Sequence, residues 1–211
     1  MVSILQIPGF IVSLILASSS PFRKAVLDKL GLPFESVSPD IDESRASDET
    51  PEQLVYRLSQ EKAREVAKQK SGLIIASDQV ATLGEGCAVE DQILTKPHTH
   101  EKAVEQLKQS SAQTVTFLTS LTLLNTDNHN IQTIVEKYRV TFRELTDAQI
   151  QHYLRAEQPY NCAGSFKSEA LGISLFAKMQ GEDPNTLIGL PLIRLIDMLN
   201  NEGLDVLAAT N

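Results

Sequence analysis

Along the chain, an apolar run from Ile11 to Ala17 stops at Ser18-Ser19-Ser20, and Pro21 follows where a first helical residue belongs. Val26, Leu27 and Leu30 continue at helical spacing, and Gly31 closes the segment. The pattern predicts a strand over 10–17, a tight turn and a helix, with Ser20 as N-cap, Pro21 at the first helical position and Gly31 past the end. Phe34 to Val37 reads as a short strand before the acidic loop Pro39-Asp40-Ile41-Asp42-Glu43. Thr50-Pro51-Glu52-Gln53 is a capping box with a proline in the first turn, so a helix is expected from about Pro51 to Gln69. Leu73 to Ser77 is a buried-strand pattern that resumes at Val80 to Leu83, and Gly84-Glu85-Gly86 turns the chain into Gln92-Ile93-Leu94. A helix is expected over Thr99 to Gln109. Alternating strands over Val115 to Leu124 and Ile131 to Phe142 form a hairpin around Asp127-Asn128, and a second capping box at Thr146 starts a helix through about Ala156. Leu171 to Lys178 reads as a strand, Asp183-Pro184-Asn185-Thr186 as a loop, and Gly189-Leu190-Pro191 as the opening of a last helix with Leu192, Leu195, Ile196 and Leu199 inward.

Three residues break these patterns. Arg23 precedes Val26 and Leu27 by three and four positions, so it shares their inward face, and it stands in a first turn that disfavours positive charge. Free backbone N–H groups at that turn attract an anion, which would account for the arginine; an ordinary capped helix with Arg23 snorkelling to water is the alternative. Lys62 falls in the apolar stripe of Leu54, Leu58 and Val66. Either it serves a site or it bends its stem along the core edge. Asp78 interrupts an extended pattern that tolerates aspartate poorly, which points to chemistry over a plain turn role.

Composition narrows the classes. With 42% hydrophobic and 22% charged residues over 211, the chain is an ordinary globular one. A net charge of −8 excludes the basic field that long nucleic acid requires, while a local cationic cluster could still hold a small phosphorylated ligand. Cys87 and Cys162 are too few for a disulfide scaffold and suggest a reducing, cytoplasmic compartment. Residues 1–17 resemble a secretory apolar region, but no Lys or Arg precedes Arg23 and Pro8-Gly9 interrupts the run. Residues 1–9 are therefore expected to be an N-terminal extension and residues 10–211 one domain, with no membrane span. Phosphate-loop, zincin, C-x-x-C and nucleophile-elbow patterns are absent, and the four histidines lack metal-ligand spacing.

Taken in order, Ser18-Ser19-Ser20-Pro21-x-Arg23, Asp42-Glu43, Glu61-Lys62-Ala63, Ser77-Asp78-Gln79 and Thr95-Lys96-Pro97 resemble the Maf family of nucleoside triphosphate pyrophosphatases, and Ala163-Gly164-Ser165 and Gly189-Leu190-Pro191 fit as well. The resemblance implies an α/β fold of the inosine-triphosphatase-like (Maf/Ham) type: a curved mixed β-sheet with flanking helices forming two lobes around a cleft. It implies hydrolysis between the α and β phosphates with a divalent metal cation, Mg²⁺ or Mn²⁺. It makes Asp78 the proton acceptor and a metal ligand with Glu43, places Ser18, Arg23, Lys62 and Lys96 on the phosphates, and suggests a homodimer.

Within the resemblance, the dTTP/UTP branch has arginine, threonine and glutamine where this chain has Phe22, Gln79 and Glu169, whereas the 7-methyl-GTP branch has an aromatic residue, glutamine and glutamate. The chain resembles the second branch at all three specificity positions, with phenylalanine where tryptophan is common. Methylation makes the guanine ring cationic; a carboxylate accepts from its N–H edge and an aromatic face favours the charged ring. Two other readings stay open: a dTTP, UTP or CTP pyrophosphatase, and a nucleotide-binding septation regulator without turnover.

Overall fold

The computed structural model describes residues 4–7 and 10–209, with side chains from residue 13 onward. Strand β1 (Ile4–Ile7) pairs antiparallel with β2 (Phe10–Leu16), so part of the stretch expected to be an extension joins the sheet. At the end of β2 the Ser20 hydroxyl accepts from the Arg23 N–H at 3.3 Å and starts α1 (Pro21–Leu27). A 3₁₀ turn, 28–30, then ends at Gly31 with φ 66°, a conformation that glycine adopts freely. Of the strand expected over Phe34 to Val37, only β3 (Glu35–Ser36) pairs, parallel to β2. Helix α2 (Pro51–Ala67) starts with both bonds of the capping box: Gln53 N–H to Thr50 Oγ1 at 3.2 Å, and Thr50 N–H to Gln53 Oε1 at 2.9 Å.

Strand β4 (Leu73–Leu83) runs unbroken through Asp78 and Gln79, because β6 pairs with it along its full length. There follow β5 (Gln92–Leu94), α3 (His100–Ser110), β6 (Thr114–Asn125), β7 (Ile131–Phe142) and α4 (Asp147–Glu157). The strand expected from Leu171 begins only as β8 (Phe176–Gln180). Residues 171–175 instead coil into a 3₁₀ segment in which Gly172 lies so close to the Lys167 carbonyl that a Cβ would sit 2.2 Å from its oxygen. Asp183 also departs from the loop expectation. Its carboxylate accepts from the N–H groups of Asn185 (2.8 Å) and Ile193 (2.9 Å), so one buried side chain caps both the short α5 (Asn185–Ile188) and α6 (Leu192–Asn201). Helix α7 (Val206–Ala209) follows.

The strands form one mixed sheet in the order β1-β2-β4-β6-β7-β8, with β3 beside β2 and β5 beside β4. Successive side chains of β4 take opposite faces. On one face, Ala76 and Val80 pack with Leu54, Leu58, Ala63 and Val66 of α2. On the other, two apolar clusters stand apart. The first joins β2 and Leu121 to α1 and α6; the second joins Ala81, Phe117 and Val140 to α3 and α4. Each fully buried leucine in these clusters contributes about 1.5–3 kcal/mol. Between them lies a polar seam of Ser77, Gln79, Thr119 and Thr186, which separates the two clusters.

The sheet also has an opening. On the β4 edge away from β6, β2 pairs only with Leu73–Ile75 and β5 only with Ala81–Leu83. From Ala76 to Val80 no described strand covers that edge.

Candidate active site

The opening is the floor of a cleft of about 1220 Å³. Because β4 alternates, Asp78 looks toward α2 and Gln79 toward α5, and the uncovered edge lets both reach the same space. All nine site residues expected from the sequence line it: Ser18, Phe22, Arg23, Glu43, Lys62, Asp78, Gln79, Lys96 and Glu169.

Lys62 is at the centre. It is 5% exposed, and its ammonium donates to Asp78 Oδ1 at 2.6 Å and forms an ion pair with Glu43 Oε1 at 2.8 Å. The snorkelling alternative is therefore wrong for this residue, since the amine lies between two carboxylates. Such a buried ammonium needs paired, hydrogen-bonded acceptors to stay charged without a large desolvation cost. Arg23 is half-buried and its Nε donates to the Gly189 carbonyl at 3.0 Å. Burial pulls its guanidinium below the ordinary value, while the charges of Asp78 and Glu43 push it back up. Gly189 is needed here for two reasons: its φ is 111°, and a Cβ would press to 3.3 Å from Arg23 Nε. Its carbonyl also accepts from Ser77 Oγ at 2.8 Å, which ties β4 to the same point.

Other expected residues are placed but less engaged. Ser18 Oγ accepts from the Ser20 N–H at 3.1 Å and so shapes the turn. Phe22 is 38% exposed at the cleft wall. Lys96 and Glu169 are exposed, and Glu169 accepts from Ser168 Oγ at 3.3 Å. The segment carrying Glu169 is anchored by Phe166, whose ring packs edge-on against Phe176 at 4.8 Å and Phe117 at 5.3 Å. Lys167 donates to the Glu157 carbonyl at 2.8 Å, so its ammonium is held by α4.

The sequence reading did not single out the network that holds Glu43. Arg57 donates to both oxygens of Glu49 (2.7 and 2.9 Å), to Glu61 (3.1 Å) and to the Ser44 carbonyl (3.0 Å), which pins the residue next to Glu43. Arg45, another cleft residue, donates to the carbonyls of Glu49 and Val89, each at 2.8 Å. The only signal for this network was the i,i+4 spacing of Arg57 and Glu61.

The donor set can be tested for a divalent cation. Two carboxylates from different segments already converge on one positive group, and all their donors are hard oxygens. Mg²⁺ commonly takes one or two carboxylates and completes its shell with water and substrate phosphate, so Glu43 and Asp78 fit it. Among the described residues no group of three or more His, Cys, Asp or Glu forms a closed metal cage.

A family model described as Maf-like protein matches residues 13–202. The chain belongs to the Maf family. Maf relatives named 7-methyl-GTP pyrophosphatase include those of Pseudoalteromonas translucida (56% identical over 197 residues, 93% of this chain and 95% of the relative) and Nitrosococcus oceani (55% over 196 residues, 92% and 96%). The Vibrio cholerae relative, of the same name, is 50% identical over 194 residues, 92% of this chain and 97% of its own length. Among solved structures, the Ham1 protein of Staphylococcus aureus is similar at 14% identity and a TM-score of 0.47, covering 90% of this chain and 99% of that one; the Maf assignment does not rest on it. Among the described residues no helix is long and apolar enough to cross a membrane.

Proposed function

We propose that this Maf chain hydrolyses 7-methyl-GTP between its α and β phosphates, releasing 7-methyl-GMP and diphosphate, and so clears a modified nucleotide from the pool. The observation that carries the reading is Lys62 held between Asp78 and Glu43, beside Arg23, in a cleft that Gln79 and Glu169 also line. Relatives at 50–56% identity that bear the 7-methyl-GTP name support the base.

The chemistry follows from the charges. Attack by water on the α-phosphorus of a polyanion requires neutralisation along the phosphates, which Arg23, Lys62 and Lys96 supply from three separate segments. Asp78 accepts the proton from the attacking water, a form of assistance that typically contributes about 10²–10⁴-fold. Diphosphate leaves while still paired with the same cations. Glu43 and Asp78 would hold a divalent metal, which when bound adds Lewis-acid neutralisation of the phosphate oxygens. At the other end, Phe22 offers a face to a cationic ring, worth about 0.5–2 kcal/mol, and Glu169 accepts from the guanine N–H edge. The two free cysteines, Cys87 exposed and Cys162 half-buried, support a cytoplasmic setting for this reaction.

A panel of nucleoside triphosphates with Mg²⁺, scored separately for diphosphate and orthophosphate, tests the proposal. The expected result is diphosphate release with the highest kcat/KM on 7-methyl-GTP. Orthophosphate release, or a preference for dTTP or UTP, overturns it. Binding without turnover would favour the regulator reading.

A further inference from the structure

The polar seam between the two apolar clusters carries more than a boundary. Gln79 sits in it half-buried, directly opposite Thr119 in the β4–β6 register. Three oxygens surround its amide nitrogen: Thr119 Oγ1 at 2.8 Å, the Thr186 carbonyl at 2.8 Å and the Leu187 carbonyl at 3.3 Å. The two carbonyls can only accept. Thr119 spends its single hydroxyl hydrogen on the Thr186 carbonyl at 3.0 Å, so toward Gln79 it too can only accept. A flipped amide would set Oε1 against three acceptors. The orientation of Gln79 is therefore dictated by its neighbours, which removes the usual ambiguity of side-chain amides.

We propose that Thr119 is a positioning residue that fixes Gln79 with both amide hydrogens turned inward, so that a bound base meets only its carbonyl oxygen. This rests on the 7-methyl-GTP reading and deepens it. Glu169, when ionised, also only accepts. The base end of the cleft then offers acceptors alone and suits an edge with adjacent donors, such as guanine N1–H and N2–H₂. Uracil and thymine present one N–H flanked by two carbonyls, which acceptors repel. Specificity would thus be a polarity filter whose sign is set by a threonine that is fully buried and remote from the solvent side of the cleft.

The test measures kcat/KM for 7-methyl-GTP and for UTP in the wild type, Thr119→Val and Thr119→Ser. Without the hydroxyl the amide keeps only the Thr186 carbonyl at 2.8 Å and the longer contact to the Leu187 carbonyl at 3.3 Å, so Gln79 is held less firmly and can turn a donor toward uracil. In Thr119→Val the 7-methyl-GTP/UTP ratio should fall about five- to tenfold, the usual worth of one neutral hydrogen bond, with no loss on UTP itself. Thr119→Ser should keep the wild-type ratio. An unchanged ratio in Thr119→Val, or an equal fall on both nucleotides, overturns the proposal. Should the valine variant not fold, hydrogen exchange at the Gln79 side-chain amide of the wild type decides: both hydrogens protected is expected, and fast exchange refutes it. A wild type inactive on 7-methyl-GTP defeats the function reading, and this inference with it. Activity on 7-methyl-GTP with a Thr119-independent ratio defeats the inference alone.

Discussion

Lys62→Met removes one charge and keeps most of the stem that packs in line with Leu58 and Val66. In the folded protein the Lys62 side chain is 7% exposed, that of Asp78 is 11% and that of Glu43 is 60%. Glu43 rehydrates readily, so its arm of the pair contributes little. Asp78 does not, and removing one partner of a buried pair costs about 3–5 kcal/mol. Because Asp78 faces the cleft and gains some water, we take the lower end, about 3 kcal/mol. In a chain of this size each kcal/mol moves Tm by about 2–4 °C, so the variant should melt about 6–12 °C below the wild type in EDTA. With the ammonium gone, the two carboxylates remain without a cation between them, and saturating Mg²⁺ should recover at least half of that loss while shifting the wild type much less. Thermal unfolding by circular dichroism, in EDTA and in Mg²⁺, reads both effects. Turnover should fall about 10²–10³-fold through lost phosphate neutralisation. A variant as stable as the wild type, or equal Mg²⁺ responses in the two proteins, would refute the account of Lys62 as the resident cation of the site.

Two further outcomes follow from residues outside the reaction. Hydrogen bonds from Arg57 hold the Glu49 carboxyl below its ordinary range; a depressed folded-state value means that its support is present above the unfolded value, about 4.3, and is lost as pH falls through the folded one. The Tm difference between wild type and Glu49→Gln should therefore be largest near neutrality and close below about pH 4, and a pH-independent gap would contradict the pairing. Thr186 Oγ1 is buried and has no hydrogen-bond partner among the described residues. Replacing it with the similarly shaped valine should raise stability by about 1 kcal/mol and Tm by about 2–4 °C, leaving the Thr186 carbonyl in place, whereas a fall in Tm would show that the hydroxyl is satisfied in solution.

Arg23, Lys62 and Asp78 were legible because each violates a periodicity: a cation on an apolar helical face, an acid inside a strand. Those regular elements supply an expectation against which a misfit stands out. Phe22, Glu43, Lys96 and Glu169 were reached only through family motifs, because they occupy loops and a helix end at the cleft mouth, where solvent imposes no pattern. The continuity of β4 through Asp78 was missed because strand propensity is local, while the pairing that overrides it comes from β6, some forty positions away. The contacts that orient Arg23 and Gln79 could not be read at all. Apart from the Thr119 hydroxyl, which lies opposite Gln79 on another strand, they run to the backbone carbonyls of Gly189, Thr186 and Leu187, and a carbonyl carries no residue identity.

The uncovered stretch of β4 has a consequence for the solubility of the molecule. A bare strand edge is a template on which another polypeptide can add, and natural sheets guard such edges with charge and brevity. Here the bare run spans only Ala76 to Val80 and carries a paired acid at its middle. A bare run this short, with a paired acid at its middle, offers a foreign strand few free backbone groups to pair with.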